Sequence, residues 1–220
     1  MADKQTKREK RDLAKKQRME MMRHAQRQKR MRTIGSVLIA ALVIAGIAFA
    51  VVQSGKSGRE RAELVNSLAG AAGCTEVQTF GSEGQTHISP PATVQYRTNP
   101  PTSGNHYGGV GPTGVHTAPI QNETQVHNLE HGHIGVQYTE ALNPEVITEL
   151  EKVARDNNTA VFLAPKPDLT DAPLAISSWG KLATCATPGS PAAVREFVEE
   201  YIKAYRGDAP EGFVGGQPIS

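Results

Sequence analysis

Ile134-Gly-Val-Gln-Tyr138, then Asn143-Pro144 with an apolar stripe of Val146, Ile147, Leu150, Val153 and Ala154, then Thr159-Ala-Val-Phe-Leu-Ala164, decides the fold class. The first segment alternates apolar and other residues, as a half-buried strand does. The second has a capping asparagine, proline at the first helical position and apolar residues at helical spacing to about Asp156. The third is a continuous apolar run stopped by Pro165 and Pro167, which reads as a buried strand. Further on, Leu174 to Trp179 reads as another strand. Ser190-Pro191 opens a last helix with Val194, Phe197, Val198, Tyr201 and Ile202 on one face, ending near Gly207. Upstream, Gly81 to Pro119 is dense in Gly, Pro, Ser, Thr and Asn, the residues of turns. The order predicts a compact α+β domain with a small sheet and two packed helices, behind a loop-rich front half.

The N-terminal quarter has a different chemistry. Residues 1–32 hold thirteen basic and four acidic residues, roughly +9, which leaves eleven basic and eighteen acidic in the remainder, roughly −7, behind a formal net charge of +2. Between the two lies Thr33 to Val52, without a charge, a proline or an amide side chain. As a helix it would cover about 30 Å, the thickness of a bilayer's hydrocarbon layer. The basic arm beside it predicts a cytoplasmic N-terminus and an extracytoplasmic C-terminal domain at the cell membrane. Ala48-Phe49-Ala50 has the form of a cleavage site, but the positive region and the apolar run are both longer than a signal peptide's, so permanent anchoring is the expectation. The arm has no aromatic residues interleaved with its charges, so the partner expected for it is membrane lipid and not nucleic acid. The expected organisation is an arm over 1–32, a transmembrane helix over 33–52, a linker and short helix over 53–73, the α+β domain over 74–212 and a tail over 213–220.

Cys74 and Cys185 both fall on the exported side, where an oxidising compartment favours one disulfide over two free thiols. They do not form a Cys-x-x-Cys pair, so a thioredoxin-type role has no support.

Six of the seven histidines, His87, His106, His116, His127, His131 and His133, crowd into the middle of the exported half. In Asn122-Glu-Thr-Gln-Val-His-Asn-Leu-Glu-His-Gly-His133, Asn122 is the expected helix cap and Gly132 the expected stop, which puts His127 and His131 one turn apart on one face. Two imidazoles so placed can share a metal ion. His127-Asn-Leu-Glu130-His131 also fits the His-x-x-Glu-His form of inverted zinc peptidases, in which Glu130 would be the general base. Five residues with three fixed positions are a weak match where histidine is abundant. Pro100-Pro-Thr-Ser-Gly-Asn-His106 sets a rigid turn that presents His106, with Thr102 or Ser103 available to bond the backbone.

The order Cys74, His87, Tyr96, Pro-Pro-Thr-Ser-Gly-Asn-His106, Val-His-Asn-Leu-Glu-His-Gly132, Tyr138, Ser178-Trp-Gly180 and Cys185 resembles the membrane-anchored bacterial and archaeal family catalogued as domain-of-unknown-function family 3105. The resemblance implies the anchored topology and the importance of His87, His106, His127, Glu130 and His131, and it supplies no reaction. The family form usually has proline where this chain has Asn105, a departure expected to loosen the loop.

Three functions follow as expectations. The first is an extracytoplasmic domain that binds a divalent transition metal through His106, His127 and His131, with His87 or Glu130 as a further ligand or supporting partner. All five methionines lie at or before Met31, so imidazole and carboxylate donors point to Zn²⁺ or Cu²⁺ rather than Cu⁺. The second is a metal-dependent hydrolase with Glu130 as general base. The third is a metal-free module docking an envelope protein, its histidines organising the front loop through hydrogen bonds.

Overall fold

The computed structural model describes residues 19, 21, 22 and 57–219. Met19, Met21 and Met22 are helical and exposed; the rest of the basic arm, the expected membrane span over 33–52 and the Ala48-Phe49-Ala50 site lie outside the described residues. Among the described residues no helix is long and apolar enough to cross a membrane. Ser57–Ser220 forms one compact unit.

The unit is α+β, with a mixed sheet and four helices. After helix α1 (57–72) come strands β1 (Gln78–Thr79), β2 (His87–Ile88), β3 (His106–Tyr107) and β4 (Gly114–Val115). Helix α2 (Asn122–Glu130), β5 (Ile134–Tyr138), α3 (Pro144–Asp156), β6 (Val161–Pro165), β7 (Leu174–Ser178), β8 (Lys181–Cys185) and α4 (Pro191–Tyr205) follow. Six strands form a sheet in the order β1-β8-β7-β5-β6-β4, with β5, β6 and β4 parallel and β7, β8 and β1 joined antiparallel. Strands β2 and β3 form a separate parallel pair.

Alternation along the strands divides the sheet into two faces. Ile134, Val136, Val161, Leu163, Leu174, Ile176, Ala183 and Cys185 enter the main core together with the stripes of α3 and α4. Asn143 accepts a hydrogen bond from Glu145 N at 2.8 Å, and Ser190 accepts one from Ala193 N at 3.3 Å, so both expected caps are made. Val65, Ala69 and Ala72 of α1 are buried in the same core. The helix grouped by sequence with the linker is thus a packed part of the compact unit. Its stripe is short and rich in alanine, which hides its burial from a hydropathy reading.

The opposite face carries Gly135, Gln137, Phe162, Ala164 and Ser177, and here α2 sits: Gln137 Nε2 donates to Gln125 Oε1 at 2.8 Å. Helix α2 differs from the others in having seven buried residues of nine, among them Glu123, Gln125, His127, Asn128 and Glu130. Its start also differs from expectation. The cap position is Gln121, and Asn122 does not cap but accepts a hydrogen bond from the buried Lys166 Nζ at 2.9 Å. Gly132, at φ +74°, ends the helix as the sequence predicts.

Cys74 and Cys185 are disulfide-bonded across a sequence separation of 111, tying the end of α1 to β8. On the loop-entropy model, closing so long a loop stabilises the fold by roughly 4–5 kcal/mol. Urea unfolding of the oxidised chain and of Cys74→Ser/Cys185→Ser should differ by about that amount, with a lower midpoint for the variant.

Candidate metal centre

Three separate pieces of chain converge. The β2–β3 pair sets His87 directly opposite His106 in register, so both imidazoles leave one face of the pair. Helix α2 contributes His127 and, three residues on, Glu130. One potential ligand atom from each of His87, His106, His127 and Glu130 lies within 4.8 Å of every other, so this group could hold a metal ion. The ring centroids of His87, His106 and His127 are 5.0–5.1 Å apart pairwise.

The front loop is held in place by hydrogen bonds rather than by regular structure. Ser103 Oγ accepts from Glu83 N at 3.1 Å, and Tyr96 Oη donates to Asn105 O at 2.7 Å. Gly180 N, in the turn between β7 and β8, donates to Thr102 O at 2.9 Å, which joins the Pro-Pro-Thr-Ser-Gly and Ser-Trp-Gly segments. Trp179 meets His106 edge-on, with centroids 6.4 Å apart. Asn105 Oδ1 accepts from Thr86 N at 3.1 Å. The residue expected to loosen the loop instead ties the strand bearing His87 to the one bearing His106. From α2, Glu123 Oε1 accepts from Val94 N at 3.0 Å and Asn128 Oδ1 from Gly111 N at 2.7 Å.

His106 is fully buried, and its two ring nitrogens have different neighbours. Nδ1 lies 2.7 Å from Gly104 O, and Nε2 lies 2.9 Å from Glu130 Oε2. A carbonyl oxygen can only accept, so Nδ1 carries a hydrogen; in the neutral ring Nε2 is then a lone pair. That lone pair faces a carboxylate oxygen. Two acceptors this close require a proton or a cation between them. A ring N–H fixed by a backbone carbonyl with the other nitrogen free is how metal-binding histidines are oriented. The same Oε2 lies 3.7 Å from His87 Nε2.

His127 adds a second indication. It is 4 % exposed, and its Nδ1 is buried without a hydrogen-bond partner. Burial, with the neighbouring imidazoles of His106, His131 and His87 adding to it, lowers its pKa to about 4. The ring is therefore neutral near pH 7, the form that ligates. In a tetrahedral zinc site with bonds of about 2.0–2.1 Å the donors stand roughly 3.3 Å apart. Around an ion the widest separations, up to 4.8 Å, would close, while the 2.9 Å between His106 Nε2 and Glu130 Oε2 would open slightly.

The other sequence candidates are placed differently. His131 is outside the four-residue group: its Nε2 faces Glu211 Oε2 at 3.3 Å, although its ring lies 4.8 Å from that of His127. Glu130, expected either as a further ligand or supporting partner or as a general base, stands beside the imidazoles of His106 and His87. His133 Nε2 donates to Val214 O at 2.6 Å, and His116 Nε2 lies 3.1 Å from Pro112 O. Glu211, Gly104 and Asn105 support the site without a signal of that role in the sequence. Glu211 pairs with His131 from across the chain, and the role of Gly104 rests on its backbone oxygen, so neither carries a local signature.

These four side chains, two from the loop-rich front half and two from α2 of an α+β scaffold, define a domain with a candidate metal centre. A family model described as a protein of unknown function (DUF3105) matches residues 87–213, and the chain belongs to that family. No curated protein and no solved structure matches it.

Two outcomes follow. A Cβ at Gly104, whose φ is +127°, would stand 2.8 Å from Tyr96 Cε1, so Gly104→Ala should lose about 1–3 kcal/mol in chemical denaturation. His127 has a folded pKa below its unfolded value of 6.5. The unfolded state then binds more protons between pH 6.5 and about 4, so its contribution to stability is full above 6.5 and is lost as pH falls towards 4. Thermal unfolding of the metal-free chain at pH 7 and pH 5 should show a larger drop for wild type than for His127→Gln.

Proposed function

We propose that this protein is a membrane-anchored, extracytoplasmic metal-binding module that holds one divalent transition-metal ion through His87, His106, His127 and Glu130. The observation that carries the reading is the approach of His106 Nε2 to Glu130 Oε2 at 2.9 Å, with His106 Nδ1 already committed to Gly104 O. Three imidazoles and a carboxylate suit Zn²⁺ or Cu²⁺. The disulfide between Cys74 and Cys185 supports an oxidising compartment. Anchoring by residues 33–52, with the basic arm cytoplasmic and in contact with lipid, belongs to the same proposal. The hydrolase reading needs Glu130 free to act on a bound water, and its placement among the imidazoles favours a ligand role instead. An envelope protein is the natural partner of the docking reading, which needs no ion.

Elemental analysis of the full chain, purified in mild detergent after dialysis against Zn²⁺ or Cu²⁺, should find one ion per chain. Glu130→Gln and His106→Ala should each lower affinity by at least tenfold. A folded wild-type chain that takes up no metal, with both variants equally stable, would transfer the proposal to docking.

A further inference from the structure

We propose that the ion at this centre is exchangeable cargo, admitted and released on the side of His87, so that the domain passes its ion to another ligand rather than keeping it as a permanent part of the fold. This rests on the metal-holding reading above.

The four donors are held unequally. His106, His127 and Glu130 are 0, 4 and 2 % exposed, whereas the His87 side chain is 52 % exposed. The three buried donors are built into α2 and into a loop pinned from both sides. Moving any of these side chains means opening part of the fold, an event governed by local unfolding, so in an exchange it is the ion that leaves them and not they that leave the ion. His87 sits on β2, a strand of two residues. Its ring stands beside Gly108 with room between them, since an added Cβ there would only make ordinary contact at 3.8 Å with His87 Cγ and Nδ1. Its approach to Glu130 Oε2, at 3.7 Å, is too long for a hydrogen bond. Turning an exposed side chain is a matter of picoseconds to nanoseconds, far faster than opening a core.

A structural site fills all four positions with protein donors, and the donor held least firmly is the one that opens first. Here three donors are interior and the fourth faces water, so the ion can be reached without unfolding. In the exchange step the bond between the metal and the His87 nitrogen breaks, and a bond from an incoming imidazole, carboxylate or thiolate donor forms at the vacated position. The ion remains divalent and no electron moves. The buried three-donor base then yields stepwise to the acceptor, or in reverse receives an ion from a donor protein. The exposed histidine sets the rate of transfer, and the buried three set how tightly the ion is held.

Stopped-flow mixing of the Zn²⁺-loaded full chain with a chromophoric chelator tests this directly. The release rate should rise with chelator concentration, because the chelator attacks the vacated position. His87→Ala, a change at an exposed side chain, should still bind one Zn²⁺, with affinity lowered about 10–100-fold and release correspondingly faster. Release that is independent of chelator concentration and as slow as unfolding overturns the proposal and leaves the metal site standing. So does a His87→Ala chain with unchanged affinity and release. A wild-type chain that binds no Zn²⁺ or Cu²⁺ fails at the earlier step and removes both readings.

Discussion

Glu130 Oε2 is the atom on which the front half of the domain converges. Among the described residues its charged-group contacts are imidazoles, His106 at 2.9 Å and His87 at 3.7 Å. A carboxylate 2 % exposed, without a lysine or arginine beside it, is expensive to bury unless a proton or an ion compensates it. That requirement gives the long loop from Gly81 to Pro119 its reason to be ordered. The loop brings two imidazoles to the carboxylate, and its backbone is then fastened by Glu83, Ser103, Asn105, Glu123 and Asn128.

Helix α2 shows what this arrangement costs the local sequence. A helix chosen for stability would set an apolar stripe on the sheet and leave its polar residues in water. Here Gln125, His127, Asn128 and Glu130 are buried alongside Val126 and Leu129, and most of the polar ones are occupied in bonds to the front loop or to β5. Such a violation of local patterning is expected where a segment is constrained by a site rather than by packing. The main core carries none of that burden. It lies on the other face of the sheet, where α1, α3 and α4 pack against β5, β6, β7 and β8.

The division explains what could be read from the chain. Helices α3 and α4 are legible because burial on one face imposes a period and their caps at Asn143 and Ser190 are local. Strands β6 and β7 read instead as short apolar runs because both faces are covered, and β5, expected to be half-buried, is covered on both faces too. Strand β8 was missed: Lys181 and Thr184 break an apolar run. Strands β1 to β4 are two residues each, too short to carry a period. The cluster was legible in part. The density of histidine pointed to His106 and His127, but the pairing that sets His87 opposite His106 is a long-range hydrogen-bond register with no trace in either segment alone. Helical spacing puts His131 beside His127, and the two rings do lie 4.8 Å apart, but His131 Nε2 faces Glu211 and stays outside the four-residue group. Burial, which spacing does not report, is what sets Glu130 among the imidazoles.

The same contact bears on the choice between holding an ion and using it. A general base acting through a metal-bound water needs room for that water beside its oxygen. At 2.9 Å from His106 Nε2, Glu130 Oε2 has none on that side. A hydrolase also needs a substrate cleft against the ion. Two clefts in the domain lie elsewhere, one by Glu149, Arg195 and Glu199 between α3 and α4, the other by Val110, Pro112 and Val214, and neither is lined by a member of the cluster. With the carboxylate engaged by imidazoles, the contact fits a ligand role for Glu130 better than that of a base acting on a bound water.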